Sequence, residues 1–253
     1  MTLGAVVRAV RLALGASAAL GLALALAPAR ALRLKAAARA PVAVHRRLAF
    51  ALGLGVERRG APAAGPARLI VANHVSWLDI VALGALEPFT FVAKSDLAAG
   101  PLARAALALQ GVILVDRRRR FALPKAVTRI AGALRRGESV VLFAEGTTGD
   151  GNRLLPLRSS LLQGAVGAAV QPVLLEYRRR AGLVVSRRER PGIAWYGDMT
   201  FWPHLGRLVR EGDVACHVTF AAPLDGAGRD RKALALACEA ALRTLSDTNG
   251  PKS

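Results

Sequence analysis

The sequence holds only two cysteines, Cys216 and Cys238, in 253 residues, and they have no CxxC spacing. That excludes a disulfide scaffold and a cysteine-based metal centre, and both thiols read as reduced core residues, as on a cytoplasmic face. Aromatics amount to 5%, too few for the stacking platforms and recognition surfaces of nucleic-acid modules, so nucleic acid is not an expected partner. Acidic side chains are also scarce, 17 against 36 basic ones, for a net charge of +19. No GxSxG elbow, P-loop, GxGxxG fingerprint or metal-ligand spacing occurs, which removes the chemistries those motifs mark. No internal period is present, so a repeat architecture is excluded.

What the chain does have is positive charge combined with apolar content. Hydrophobic residues make up 53% and the mean hydropathy is +0.34. Charge of this sign attracts an anionic membrane surface or an acidic carrier protein, and the apolar content favours the membrane. Between Leu12 and Ala29 no charged residue occurs, with Arg8 and Arg11 before the run and Arg30, Arg33, Lys35 and Arg39 after it. Such a run is about the shortest that spans a ~30 Å hydrocarbon core at ~1.5 Å per residue. The basic excess on its C-terminal side would hold the main domain on the cytoplasmic face of the cell membrane. A cleaved signal peptide competes, because "ALA" precedes Pro28; proline and the dense basic cluster straight afterwards argue against export. A second apolar stretch, Leu48 to Val56, is too short to span and reads as part of an interfacial anchor or helical hairpin. Residues 1–59 are therefore expected to anchor the protein.

The Pro/Gly-rich stretch Gly60 to Ala67 reads as a linker into a domain over residues 60–246, followed by a disordered tail at 247–253. Apolar, β-branched runs predict strands at Leu69-Val71, Thr90-Val92, Val112-Val115, Ser139-Phe143, Val170-Leu175 and Val214-Phe220. Helices are predicted at Asp79-Leu86, Leu102-Leu109, Pro124-Leu134, Leu157-Ala169 and Arg231-Leu245. The alternation implies an α/β sheet flanked by helices.

Three stretches carry chemistry. In "ANHVSWLDI", His74 follows a predicted strand and Asp79 falls in the first turn of the next helix. On one continuous helix they would stand about 140° apart, so they meet only if His74 lies in the loop. Ser76 and Asp79 have the spacing of a capping box with Asp for Glu, which would account for Asp79 as a cap alone. The competing reading has Asp79 accept one ring N–H of His74 while the other nitrogen takes a proton from a substrate hydroxyl. In "GVILVDRRRR", Arg117 is the first arginine after a strand and suits an anionic or polar head group, while Arg118 to Arg120 read as a solvated loop. In "VVLFAEGTTGDGNRLLPLRSSLL", an apolar strand runs into Glu145, beside Gly146 and the hydroxyls of Thr147 and Thr148, where polar substrate groups would be gripped; Arg158-Ser159-Ser160 then opens a helix as a further anion contact. His217 reads as packed or hydrogen-bonded within a strand. Trp195, Phe201 and Trp202 suit either a membrane interface or the core.

His74-x4-Asp79, Gly111…Asp116-Arg117, Phe143-Ala144-Glu145-Gly146-Thr147 and Val170-Gln171-Pro172-Val173 resemble, in order and spacing, the four blocks of the glycerolipid acyltransferase family that contains 1-acylglycerol-3-phosphate acyltransferases. The likeness spans roughly Leu69 to Tyr177, with "FVAKSDL" at Phe91-Leu97 as added support. It implies a mixed sheet flanked by helices and transfer of an acyl chain from acyl carrier protein or acyl-CoA to a lysolipid hydroxyl, with no cofactor, metal or covalent acyl-enzyme. By the resemblance His74 would be the general base, Asp79 its partner, and Arg117, Glu145, Gly146, Thr147 and Thr148 the acceptor-binding residues. Expected partners are an acidic acyl carrier protein, anionic membrane lipids and the lysolipid acceptor. Lysophosphatidate-specific members carry Pro and Arg where this chain has Ala144 and Thr148. "EGTTGDGNRLLPLRSSLL" and "WYGDMTFWPHL" are instead similar to the branch that acylates lyso-ornithine lipid, whose amine would call for an acidic residue such as Asp150 or Asp198. The alternatives are phosphatidate synthesis from lysophosphatidate and a basic, membrane-tethered binding protein without activity.

Overall fold

The computed structural model describes residues 3–32, 38–65, 67–95, 107, 112–116, 122–179, 182–183 and 185–249. Its strands are β1 (Leu54–Arg59), β2 (Leu69–Ala72), β3 (Thr90–Lys94), β4 (Ile113–Val115), β5 (Val140–Phe143), β6 (Ala169–Arg179), β7 (Val214–Phe220) and β8 (Leu224–Asp225). Its α-helices are α1 (Leu3–Ala31), α2 (Ala40–Leu52), α3 (Leu78–Gly84), α4 (Ala122–Arg135), α5 (Phe201–Glu211) and α6 (Arg231–Asn249). The sheet order is β1-β7-β6-β2-β5-β3-β4, with β8 paired to β6. β2 runs parallel to β5 and β6, and β6 runs antiparallel to β7, so the sheet is mixed.

β2 and β5 are apolar at every position because helices cover both faces. Ile70, Ala72, Val141, Phe143, Val173 and Leu175 pack with residues of α2, α3 and α5. Leu69, Val71, Val140, Leu142 and Val170 pack with α4, α6 and the 3₁₀ segment Ser159–Ala165 on the other face. Register then fixes the place of the chemistry. Ala72 lies opposite Phe143, so the loops leaving β2 and β5 emerge side by side at the strands' C-terminal ends, the edge where open α/β sheets hold ligands.

Several elements depart from expectation: β8 is an added strand, and β6 runs past Leu175 to Arg179, where it pairs with β7. The stretch Leu48 to Val56 is divided between α2 and β1: Gly53 adopts φ +70, closes α2 through its N–H to Phe50 O, and turns the chain into a strand parallel to β7. The helix expected at Leu157-Ala169 is the shorter 3₁₀ segment. Gly164 is pressed against Ile130 there, and Gly167, at φ +83, ends it. α5 adds a helix to the aromatic stretch at Phe201 and Trp202; its Pro203 falls in the first turn, where a missing N–H is tolerated. α6 extends to Asn249 because no glycine or proline interrupts it before Gly250-Pro251. The helix expected at Leu102-Leu109 lies outside the described residues apart from Leu107.

α1 packs on α2 where Gly15 meets Ala51; a Cβ on Gly15 would come within 2.5 Å of the Ala51 Cβ. Arg8 donates to the carbonyls of Val209 (2.7 Å) and Arg210 (2.8 Å) at the end of α5, and Arg11 pairs with Asp213 at 2.6 Å. Leu3–Ala29 is long and apolar enough to cross a membrane, and it is mostly exposed.

Candidate active site

The loop after β2 is fastened before it reaches its histidine. Asn73 brackets the backbone of Leu175, donating from Nδ2 to its carbonyl (3.0 Å) and accepting its N–H at Oδ1 (2.7 Å). The His74 N–H donates to Glu145 Oε2 (3.0 Å), and its carbonyl accepts the Gly149 N–H (2.8 Å). Its ring lies flat on Phe143, with centroids 4.0 Å apart and planes 12° from parallel. The ring is thus held by β5 and the backbone by the loop that follows it, which restrains the imidazole.

Asp79 is fully buried at the start of α3. Its Oδ2 lies 2.7 Å from His74 Nδ1 and accepts the N–H groups of Val75 (2.7 Å) and Ser76 (3.0 Å). Its Oδ1 accepts the Tyr177 hydroxyl at 2.6 Å. A carboxylate can only accept, so the His74 proton sits on Nδ1 and the Nε2 lone pair is left free to act as a base. The capping box is half formed: Asp79 reaches back to backbone N–H groups, while Ser76 Oγ has no partner among the described residues. The cap and the catalytic reading are therefore the same geometry. The donors also explain how a carboxylate without solvent contact remains in the fold. Burial and the Asp79 charge push the Tyr177 phenol well above its ordinary pKa, so it stays protonated and donates.

Glu145 has its two oxygens occupied, Oε2 by the His74 N–H and Oε1 by the Leu155 N–H (3.0 Å), and it is 4% exposed. Burial raises its carboxyl above the usual range; the two N–H donors and His74 oppose the rise. In this structure it acts as a clamp between the two loops. Gly146, at φ +76, closes the turn that swings Glu145 towards β2. Thr147 and Thr148 line a cleft of about 230 Å³ beside His74, together with Ile80, Lys94 and Met199. His74 also lines a second cleft, of about 220 Å³, with Asp150, Arg153, Tyr177 and Arg190. The structure therefore gathers His74, Asp79, Glu145, Gly146, Thr147 and Thr148. Arg117 lies outside the described residues. Among the described residues no group of His, Cys, Asp and Glu side chains could hold a metal ion.

The remaining candidates sort by contact. His204 accepts the Trp77 indole N–H at 3.1 Å, and burial lowers its pKa, as suits a neutral acceptor. His217 faces Glu57 across β1 and β7 at 3.1 Å. Trp195 lines the Thr147 cleft, whereas Trp202 is 77% exposed. Asp198 lines a depression with Pro191 and His204, apart from His74. Sequence reasoning missed Tyr177 and Asn73. The available signals were a tyrosine close behind the apolar run Val173-Leu175, whose hydroxyl needs a partner when buried, and a carboxamide at a strand end.

Residues 56–176 match the family model described as Acyltransferase. The chain is 39% identical over 215 residues to Lyso-ornithine lipid O-acyltransferase of Brucella abortus (strain 2308), covering 81% of this chain and 80% of that one. It is 33% identical over 208 residues to 1-acyl-sn-glycerol-3-phosphate acyltransferase of Neisseria meningitidis serogroup B, covering 81% and 79%. The crystal structure of the 1-acyl-sn-glycerophosphate acyltransferase from Thermotoga maritima shares the fold, with a TM-score of 0.64 over 97% of this chain and 99% of that one at 19% identity.

Proposed function

The chain belongs to the acyltransferase family, and on that premise we propose that it moves a fatty acyl chain from the thioester of acyl carrier protein or coenzyme A to the free hydroxyl of a lysolipid, with His74 as general base. The observation that carries this reading is the 2.7 Å bond from His74 Nδ1 to the buried Asp79 carboxylate, which leaves Nε2 as the basic nitrogen. In the reaction, Nε2 takes the hydroxyl proton as the oxygen attacks the thioester carbonyl carbon. The tetrahedral intermediate collapses with cleavage of the C–S bond, and the imidazolium returns its proton to the departing thiolate, giving ester and free thiol. Asp79 stabilises the imidazolium that exists between these steps. Thr147, Thr148, Gly146 and Arg117 are assigned to the acceptor, and Glu145 serves it by holding the His74 backbone. His74→Ala should lower kcat/KM about 10²–10⁴-fold with membrane binding intact; full activity in that variant would remove the base.

The favoured acceptor is lyso-ornithine lipid. Supporting it are the Brucella relative and Thr148, which leaves its cleft wall without the arginine that phosphate-specific members would use there to hold a phosphate. Lysophosphatidate is the second reading, favoured by the Neisseria relative and by Lys94 on the same wall. Comparing kcat/KM for the two acceptors with one acyl-carrier-protein donor separates them, and much faster use of lysophosphatidate would overturn the first. The exposed apolar α1 and the excess of basic residues support anchoring at the cytoplasmic face of the cell membrane.

A further inference from the structure

We propose that the cleft containing Asp150 and Arg190 is the head-group site of the acceptor, built for a zwitterion that carries one ammonium and one carboxylate on the same amino-acid unit. The inference rests on the acceptor reading above and deepens it. An ornithine with one nitrogen in amide linkage keeps both charges, whereas a phosphate monoester is doubly acidic.

Position is the first support. Asn73, His74 and Tyr177 line this cleft, so a ligand held in it lies beside the residue proposed as base. The loop that carries Asp150 is tied to the catalytic loop by the hydrogen bond from the Gly149 N–H to the His74 carbonyl. Gly151 follows at φ +75 and approaches Val75 so closely that a Cβ there would come within 3.3 Å of Cγ1. The Asp150 loop thus packs against the loop that carries His74.

Charge is the second. Asp150 holds its carboxyl below the usual range, first through the Asn152 N–H and then with help from the fields of Arg190 and Arg153, so it is an anion beside cations. Its oxygens accept the Asn152 N–H and amide, and a carboxylate has acceptor sites left over for an ammonium. Arg190 is the complementary half. Its Nη1 is buried with no hydrogen-bond partner among the described residues, and its Nε reaches only the Val185 carbonyl, at 3.5 Å. A buried guanidinium N–H without an acceptor is destabilising, and a ligand carboxylate would satisfy it with a charge-assisted bond once the Arg190 side chain turns into the cleft that it lines. Arg153 is exposed and adds attraction more than geometry. Arg178 and Glu176 also line the cleft; among these charges Asp150 weakens the pull of the arginines on a phosphate monoester while it attracts an ammonium. Asp198, the other acidic candidate, does not share a cleft with His74.

The test measures kcat/KM of the full-length protein with an acyl-carrier-protein thioester and three acceptors: lyso-ornithine lipid, the same lipid with its free amine acetylated, and its carboxyl methyl ester. Asp150→Asn should lose about ten- to a hundredfold on lyso-ornithine lipid, as for loss of one charge-assisted bond, and change little on the acetylated acceptor. Arg190→Gln should show the same loss on the parent lipid and little change on the methyl ester. Retained activity on the modified acceptors also shows that the variants are folded. Equal losses on all three acceptors, with the wild type still preferring lyso-ornithine lipid to lysophosphatidate, would overturn the head-group site alone. A wild type that prefers lysophosphatidate would overturn the acceptor reading and this site together.

Discussion

Tyr177 lies 98 residues from Asp79 in sequence yet supplies the hydrogen bond on Oδ1, at 2.6 Å. Oδ2 is shared by His74 and two backbone N–H groups, so removal of the phenol would leave Oδ1 buried without that donor. A buried acceptor that loses its partner costs about 1–3 kcal/mol, and a carboxylate freed on one side can turn away from the imidazole. Tyr177→Phe is therefore expected to lower kcat more than it raises KM, by roughly tenfold if about 1.4 kcal/mol of transition-state stabilisation is lost. The discriminating measurement is a double-mutant cycle with Asp79→Asn. If the hydroxyl acts through the carboxylate, its removal should do little further harm in the Asp79→Asn background. Additive losses would mean that Tyr177 only packs the strand.

At the scale of elements, the active site is a junction of two loops, and Glu145 is what joins them. Its carboxylate ties the loop after β2, through His74, to the segment at Leu155. Because burial raises its carboxyl above the ordinary value, the folded protein binds that proton more tightly than the unfolded chain does. This contribution to stability is present below the ordinary carboxylate range and is lost as pH rises through the raised value. Glu145→Gln removes the titration and gives up one of the two acceptors. Its thermal midpoint should fall below that of the wild type, and the fall should be largest at low pH and shrink as pH rises through that window; a gap independent of pH would place the titration elsewhere. The same junction shows what the sequence could and could not disclose. β2 and β5 were legible because burial on both faces makes each a continuous apolar run, and β6 and β7 because most of their buried positions are apolar or β-branched. His74 and Asp79 were legible because both lie within one turn of chain. β1 was not, since "LGVERR" is an edge strand whose polar side chains face water, and its pairing with β7 joins residues far apart in sequence. Tyr177, Asn73 and the Leu155 N–H reach the site only through sheet register or a loop closure, neither of which leaves a local spacing to read.

For the whole molecule, the proposed membrane anchoring would combine two attractions, and salt separates them. Apolar side chains of α1 such as Leu14, Leu20 and Leu24 are exposed, as are Phe50 on α2 and Trp202 on α5, and their burial among acyl chains is insensitive to ionic strength. The net charge of +19 adds an electrostatic term, worth about 1 kcal/mol for each basic residue close to an anionic leaflet. That term decays as the screening length contracts from ~10 Å at 0.1 M salt to ~3 Å at 1 M. Full-length protein should therefore sediment with both neutral and phosphatidylglycerol-containing vesicles at low salt, more tightly with the latter. Raising salt to 1 M should abolish the preference and leave the neutral binding in place. Complete release from both vesicle types at high salt would mean that α1 does not enter the bilayer and that charge alone holds the protein there. Retention of the anionic preference at 1 M would instead require a lipid head group bound in a specific pocket, where solvent ions do not screen it.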